Sequence, residues 1–281
     1  MSDVDTVTQL SLAHAGRRFT VETAGGVSLA IPLELHGGPQ PTHFGAPAAR
    51  AEPLVAGGFI GDARRGGSCN CEAVTLVPHC NGTHTEGPGH LTDERLTVHT
   101  SALRPLYLAA LISVVAEDAA DATETSDPAP HPGDHLITAR ALAPALAAIG
   151  AAAVEAVVVR TLPNDAGKQA RDWMTPPLPP YFSRQAMALL LDHGVRHLLT
   201  DLPSVDRVLD EGRLTGHRVF FGMPVDSRAA AAVSRPDATI TEMIFAPDAL
   251  PDGLYALSLQ LAPWVSDAVP SRPVLFPLAP A

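Results

Sequence analysis

Residues 78–91 read Pro-His-Cys-Asn-Gly-Thr-His-Thr-Glu-Gly-Pro-Gly-His-Leu, and they offer Cys80, His84, Glu86 and His90, all able to ligate a divalent metal, within eleven positions. The chemistry on offer is metal coordination, and spacing sets conditions on it. On an extended chain at ~3.3 Å per residue, positions 80 and 84 stand about 13 Å apart, too far for side chains that must each approach one ion to ~2.0–2.3 Å. The chain must therefore curl between them, and Asn81-Gly82 can supply the left-handed backbone for it. His84 and Glu86, two apart, share one side of any extended piece. Pro88 and Gly89 then redirect the chain, so that His90 can approach the site without itself binding an ion. The same residues admit two other readings. They can be polar loop groups around a buried Cys80 in a metal-free, non-catalytic binding or scaffold protein, or a metal-free hydrolase with Cys80 as nucleophile and His84 or His90 as base.

The elements around this segment set where it sits. Residues 17–24 and 28–35 alternate polar and apolar across Gly25-Gly26, which predicts a hairpin. Residues 36–67 are dense in Gly and Pro and predict a loop excursion that covers a site. A strand is predicted at 72–77, ended by Pro78, so the histidine segment falls where a strand breaks into a loop. Further strands are predicted at 107–116, 154–160, 195–200, 239–245, 253–261 and 273–276. Helices capped by Thr138 and Ser183 run to about 149 and 193, and an acidic loop fills 117–134. Strand alternating with helix is the pattern of an α/β layer with right-handed crossovers. Phe44, Phe59 and Trp173 sit in loops where an aromatic substrate could stack, or where they plug a core edge.

Composition excludes several classes of function. With 19 Lys plus Arg against 30 Asp plus Glu, the 281-residue chain carries a net charge of −11, the wrong sign for phosphate binding. No basic run exceeds Arg64-Arg65, and no apolar stretch reaches the ~20 residues of a membrane span. Asp3 and Asp5 stand where a secretory leader would carry cations, so the expected location is cytoplasmic. Three cysteines do not suggest a disulfide framework. The length suits one domain over 1–281, and the expected partner is a small-molecule substrate, with neither nucleic acid nor membrane.

The histidine segment also resembles the signature of the cyclase family, which contains bacterial kynurenine formamidase and isatin hydrolase and whose motif runs His-x-Gly-Thr-His-x-Asp-x-Pro-x-His. Gly82-Thr83-His84, Pro88 and His90 fall in its register, while Cys80 stands for the first His and Glu86 for the Asp. Val157 to Thr161 is similar to the family's strand ending in Arg-Thr, and residues 181–206 to its helix, Gly-Val strand and Ser-Val-Asp turn. The resemblance covers roughly 28–278 and implies a swivelling β/β/α fold of mixed β-sheets with flanking helices.

It also implies metal ligation by Cys80, His84, Glu86, His217 and Glu242, with His90 as general acid/base. The reaction implied is hydrolysis of an amide, lactam or lactone by metal-activated water. Homodimers or homotetramers are implied as well. The two departures bear on the metal. A thiolate at Cys80 would favour zinc over manganese, and the longer Glu86 moves where a bridging carboxylate sits, so a single ion or a repositioned site using His79 is compatible with the pattern.

Overall fold

The computed structural model describes residues 9–14, 16–102, 104–150 and 154–280. Its centre is an 11-stranded sheet of β1 (Gln9–His14), β2 (Arg17–Glu22), β3 (Val27–Ser28), β4 (His84–Glu86), β5 (Tyr107–Val115), β6 (Ala156–Leu162), β7 (His197–Thr200), β8 (Thr239–Glu242), β9 (Gly253–Ser258), β10 (Ala268–Pro270) and β11 (Val274–Pro280). The order across it is β1-β2-β11-β9-β5-β6-β7-β8-β4-β10, with β3 also on β11. Strands β5 to β8 are mutually parallel, and every other pairing is antiparallel.

Alternation along the parallel strands explains both cores. In β5, Leu108, Ala110, Ile112 and Val114 point to one face, where they meet Leu142 and Leu146, Met187 and Leu190, and Phe220 and Phe221. Those pairs belong to α1 (Ala139–Ala148), α2 (Arg184–Asp192) and α3 (Thr215–Phe221), which carry the chain between successive parallel strands. Tyr107, Ala109 and Leu111 point to the other face, which Leu29, Ile244, Ala246 and Leu250 cover. Strands buried on both faces read as near-continuous apolar runs, as β5 and the first half of β6 do. Thr138 caps α1 through Ala141 N (3.1 Å) and Ser183 caps α2 through Ala186 N (2.9 Å), as the sequence predicts. The result is the mixed α/β single domain expected. No helix among the described residues is long and apolar enough to cross a membrane.

Two expectations for the N-terminal half change. The hairpin predicted across Gly25-Gly26 does not form; β2 pairs with β1, and both β2 and β3 lie on β11. Gly26 is needed for close approach, since a Cβ there would stand 2.5 Å from the Phe276 ring. The strand predicted at 72–77 exists at Glu72–Thr75, but it forms an exposed ribbon with Arg50–Pro53, outside the main sheet and with every residue in contact with solvent. The rest of 36–67 is irregular apart from a small hairpin of Val55–Ala56 with Phe59–Ile60 and a 3-10 turn at Ala63–Arg65, and most of 117–134 is irregular too, as the Gly and Pro content implies.

The only lysine of the chain, Lys168, fastens the ends of the parallel strands that face the site. Its buried Nζ donates to Thr161 O (2.6 Å), Thr161 Oγ1 (2.9 Å) and Asp201 Oδ2 (2.8 Å), and Asp201 also accepts from Thr161 N (2.9 Å). Asp201 lies just past β7 and β6 contains Thr161, so the ammonium ties two strand ends together. Lys168→Met would leave the Asp201 carboxylate buried without its cation. The expected loss is on the order of 3–5 kcal/mol of unfolding free energy, read as a lower urea midpoint at unchanged slope.

Candidate metal centre

Strand β4 is only three residues long, but both neighbours hold it in register. Glu242 of β8 lies opposite His84, and Ala268 of β10 lies opposite Glu86. Thr85 points away and bonds to Thr241 Oγ1 and Ser271 Oγ, each at 2.8 Å. The pleat therefore sends His84, Glu86 and Glu242 together to the opposite face. The segment expected to be a loop is a strand at its functional centre.

Helix α3 supplies the fourth group. Asp206, in the turn after β7, accepts from Gly216 N (2.5 Å) and His217 N (3.2 Å) and also from His217 Nδ1 (2.6 Å). One carboxylate thus anchors the start of the helix and fixes the imidazole so that Nε2 faces inward. That atom stands 2.5 Å from Glu86 Oε1 and 3.8 Å from Glu242 Oε1. His84 donates from Nδ1 to the Gly82 carbonyl (3.1 Å), which turns its own Nε2 to within 3.5 Å of Glu242 Oε2. Glu242 Oε1 accepts from Val205 N (2.9 Å).

The donors fit a metal. His84 Nε2, both Glu86 oxygens and His217 Nε2 are buried, and none has a partner in hydrogen-bond geometry despite the short distances. Such orphaned atoms are costly unless something else satisfies them. His84, Glu86 and Glu242 place ligand atoms within 4.8 Å of one another. Each histidine is held from behind by a carbonyl or carboxylate, the usual support of a metal-ligating imidazole. Burial alone would lower the His217 pKa, yet the Glu86 and Asp206 charges push it well above the imidazole range. Burial alone would raise Glu86, and the charges of His217 and His90 hold it well below the carboxylate range. A cation at this point would replace those protons in balancing the buried carboxylates.

A second group lies beside the first. His79, Glu86 and His90 also bring ligand atoms within 4.8 Å of one another. His79 Nδ1 is 2.8 Å from Glu86 Oε2, and His79 Nε2 bonds to Asp267 Oδ2 at 2.9 Å. The same Asp267 oxygen lies 3.6 Å from His90 Nδ1. Burial alone would lower His79, but Asp267 and Glu86 raise it to about 10.

Both groups face a cavity of about 290 Å³ whose apolar walls include Phe44, Val77, Pro203 and Leu214. Phe44 is 60% exposed and held at φ +52°, so its ring stands at the rim. Phe59 does not line this cavity; it pairs with Ala56 in a small surface hairpin. His43, which the sequence did not single out, is buried in the cavity wall, and burial lowers its pKa to about 4.

Of the ligands the resemblance implies, His84, Glu86, His217 and Glu242 converge, and His90 lies alongside. Cys80 is placed differently. It lines the cavity, but its sulfur belongs to neither converging group. The backbone NH groups of Cys80 and Asn81 both bond to Val77 O, and this tight turn ending at Gly82 (φ +74°) carries His79 toward Glu86 instead. Burial and then the Glu242 charge raise the Cys80 thiol, the reverse of what a nucleophilic cysteine requires. Asp206 and Asp267 were missed as supporting groups. Asp206 was visible only as part of a turn, and nothing in sequence connects Asp267 with position 79. Asp206→Asn is expected to weaken divalent-metal affinity roughly 10–100-fold, measured by competition with a chelating dye.

Comparison with known proteins bears on the family and the fold. Residues 27–207 match the family model described as Cyclase. No curated protein matches the sequence. Among solved structures, one described as "predicted metal-dependent hydrolase from Bacillus stearothermophilus" is 17% identical with a TM-score of 0.56, over 89% of this chain and 97% of that one. An isatin hydrolase bound to the product analogue thioisatinate is 16% identical with a TM-score of 0.59, over 91% and 92%. Isatin hydrolase A from Labrenzia aggregata is 16% identical with a TM-score of 0.58, over 89% and 93%. At these identities the structures establish a shared fold, and the family model spans well over half of the sequence: the chain belongs to the cyclase family.

Proposed function

We propose that the protein is a metal-dependent hydrolase that cleaves a small amide, lactam or lactone. The observation that supports this most is the convergence of His84 Nε2, Glu86, His217 Nε2 and Glu242 on one buried point, where the two Nε2 atoms and both Glu86 oxygens lack hydrogen-bond partners. A divalent ion held by these four residues would supply Lewis acidity and lower the pKa of water toward ~7. Imidazole and carboxylate donors suit zinc and manganese alike, and with the Cys80 sulfur outside the group the thiolate argument for zinc no longer applies.

The chain's own groups supply the rest. Glu86 and Glu242 contribute the negative charge that retains a cation, while Asp206 and the Gly82 carbonyl fix the two imidazoles. His90, 28% exposed at its side chain and beside Asp267, takes a proton from water and returns it to the leaving amine or alkoxide. The apolar walls keep bulk water from the reacting carbonyl, and Phe44 offers a face to an aromatic substrate. A cavity near the lower end of the usual range for ligand sites, ~300 Å³, suits a substrate of one or two rings.

The likeness to isatin hydrolases makes isatin, a cyclic amide fused to an aromatic ring, the first substrate to try. The panel adds N-formylkynurenine as an aryl formamide and a simple lactone. Chelator-treated protein should be inactive on the panel and recover turnover of at least one member when zinc or manganese is restored. Full turnover in chelator, or none from metal-loaded protein across the panel, would contradict the reading.

A further inference from the structure

Helix α3 borders a second cavity, of about 280 Å³, lined by Arg184, Arg213 and Arg218 and walled by the apolar Val219, Met223 and Val225. It shares no lining residue with the cavity of the metal centre. His217 lines that one, while Arg218 and Val219, the next two residues of the helix, line this one. Arg218 is fixed in place. Its Nε donates to Arg213 O (3.1 Å) and its Nη1 to Pro224 O (2.9 Å) and Ser227 O (3.0 Å), which leaves the Nη2 donors of the guanidinium unspent. The Arg184 and Arg213 guanidiniums have no hydrogen-bond or ion-pair partner among the described residues. Elsewhere in this acidic chain arginines meet carboxylates: Arg104 with Glu155, Arg140 with Glu117, Arg160 with Asp252 and Arg207 with Asp134. Asp127 is the acidic residue among those lining the cavity, and it forms no ion pair with the three arginines.

We propose that Arg184, Arg213 and Arg218 form a binding site for a small phosphate monoester. Charge sets the class of ligand. Three guanidiniums against the one Asp127 carboxylate leave a local excess of two positive charges, which a phosphate monoester, at about −1.5 to −2, balances and a singly charged carboxylate does not. Shape points the same way, because a phosphate presents three acceptor oxygens and a planar guanidinium pairs with two of them at once. Arg218 offers an already ordered donor at Nη2, and the two unpartnered guanidiniums supply the others. The apolar Val219, Met223 and Val225 give the organic group of an ester a surface to bury, which inorganic phosphate cannot use. At the lower end of ligand-site volumes, ~300 Å³, the cavity limits that group to about one ring. The net charge of −11 still excludes a long polyanion, which meets the field of the whole surface. A small dianion inside the cavity meets these arginines at short range, where salt and distance screen them least. The site shares no residue with the metal centre and stands whether or not the protein is a hydrolase.

The test is isothermal titration of the metal-free, full-length protein with phenyl phosphate at low ionic strength, with benzoate and inorganic phosphate run in parallel. Phenyl phosphate should bind one equivalent with a Kd of about 1 mM or below, several-fold tighter than either comparison anion. Arg184→Gln and Arg213→Gln, which remove guanidiniums that hold nothing else in place, should each weaken it about tenfold, and the double variant should abolish measurable binding. Arg50→Gln removes the same charge from the exposed ribbon and should leave the affinity within about twofold of wild type. Circular dichroism of each variant should match wild type, and the single variants carry the test if the double variant does not fold. No binding of phenyl phosphate, binding that survives in both single variants undiminished, or an equal loss in Arg50→Gln would overturn the site. Tighter binding of benzoate would overturn the phosphate monoester as its ligand, and equal binding of inorganic phosphate would overturn the part given to the apolar walls.

Discussion

Glu86→Gln is expected to leave a folded protein that holds no stoichiometric metal and has lost at least ~10³-fold in kcat/KM. The size follows from the several kcal/mol that Lewis-acid stabilisation contributes, at about 1.4 kcal/mol per factor of ten. The amide keeps the carboxylate's volume, so the strand pairing of β4 with β8 and β10 has no steric reason to change. What it removes is the one anion shared by both ligand groups. His217, raised by the Glu86 charge, should then titrate lower, because the carboxylate 2.5 Å from its Nε2 has become neutral. Metal content per chain, read by elemental analysis, separates this outcome from unfolding. A variant that retains one ion per chain and near-normal turnover would remove Glu86 from the centre.

His90→Ala should behave in the opposite way with respect to metal. Its ring is not among the first group of ligands, so the tightly held ion should remain at full stoichiometry while kcat falls by roughly 10²–10⁴, the usual contribution of a positioned acid/base. KM should move little, because the apolar cavity walls are untouched. The loss should be smaller for a substrate with a good leaving group, whose departure needs no proton. An equal loss across leaving groups, or loss of the tight ion with His90, would assign it to binding instead. His79→Ala, which alters the neighbouring ring but not His90 itself, is the natural control.

How far the sequence led is best seen along residues 78–91. The period of two between His84 and Glu86 was readable and correct, because a pleated strand leaves no other choice. That they lie in a strand of the main sheet was not readable, since the four residues between Gly82 and Gly87-Pro88 are too few to carry a periodicity of their own. The pairing depends on β8 and β10, whose Thr241 and Val269 stand opposite Thr85 from far along the chain. Cys80 holds the first ligand position by register, while in the structure a turn hydrogen-bonded to Val77 O leaves His79 Nδ1 2.8 Å from Glu86 Oε2. Rotation within a turn is decided by backbone hydrogen bonds that residue types do not reveal. The α/β alternation and both helix caps were legible because hydroxyl caps and apolar runs act locally. Helix α3, at seven residues, was too short to announce itself, so His217 was placed only by resemblance. The N-terminal hairpin does not form because both edges of β2 are taken, by β1 along its whole length and by β11 at Phe19 to Val21.

The most direct measurement is anomalous diffraction at the zinc edge from crystals of the zinc-loaded protein, with a second data set at the manganese edge from manganese-loaded crystals. The expected result is a strong peak among His84 Nε2, Glu86, His217 Nε2 and Glu242, with the Cys80 sulfur outside bonding distance. No peak at that point from either metal, or a peak bonded to Cys80 Sγ and distant from His217, would contradict it.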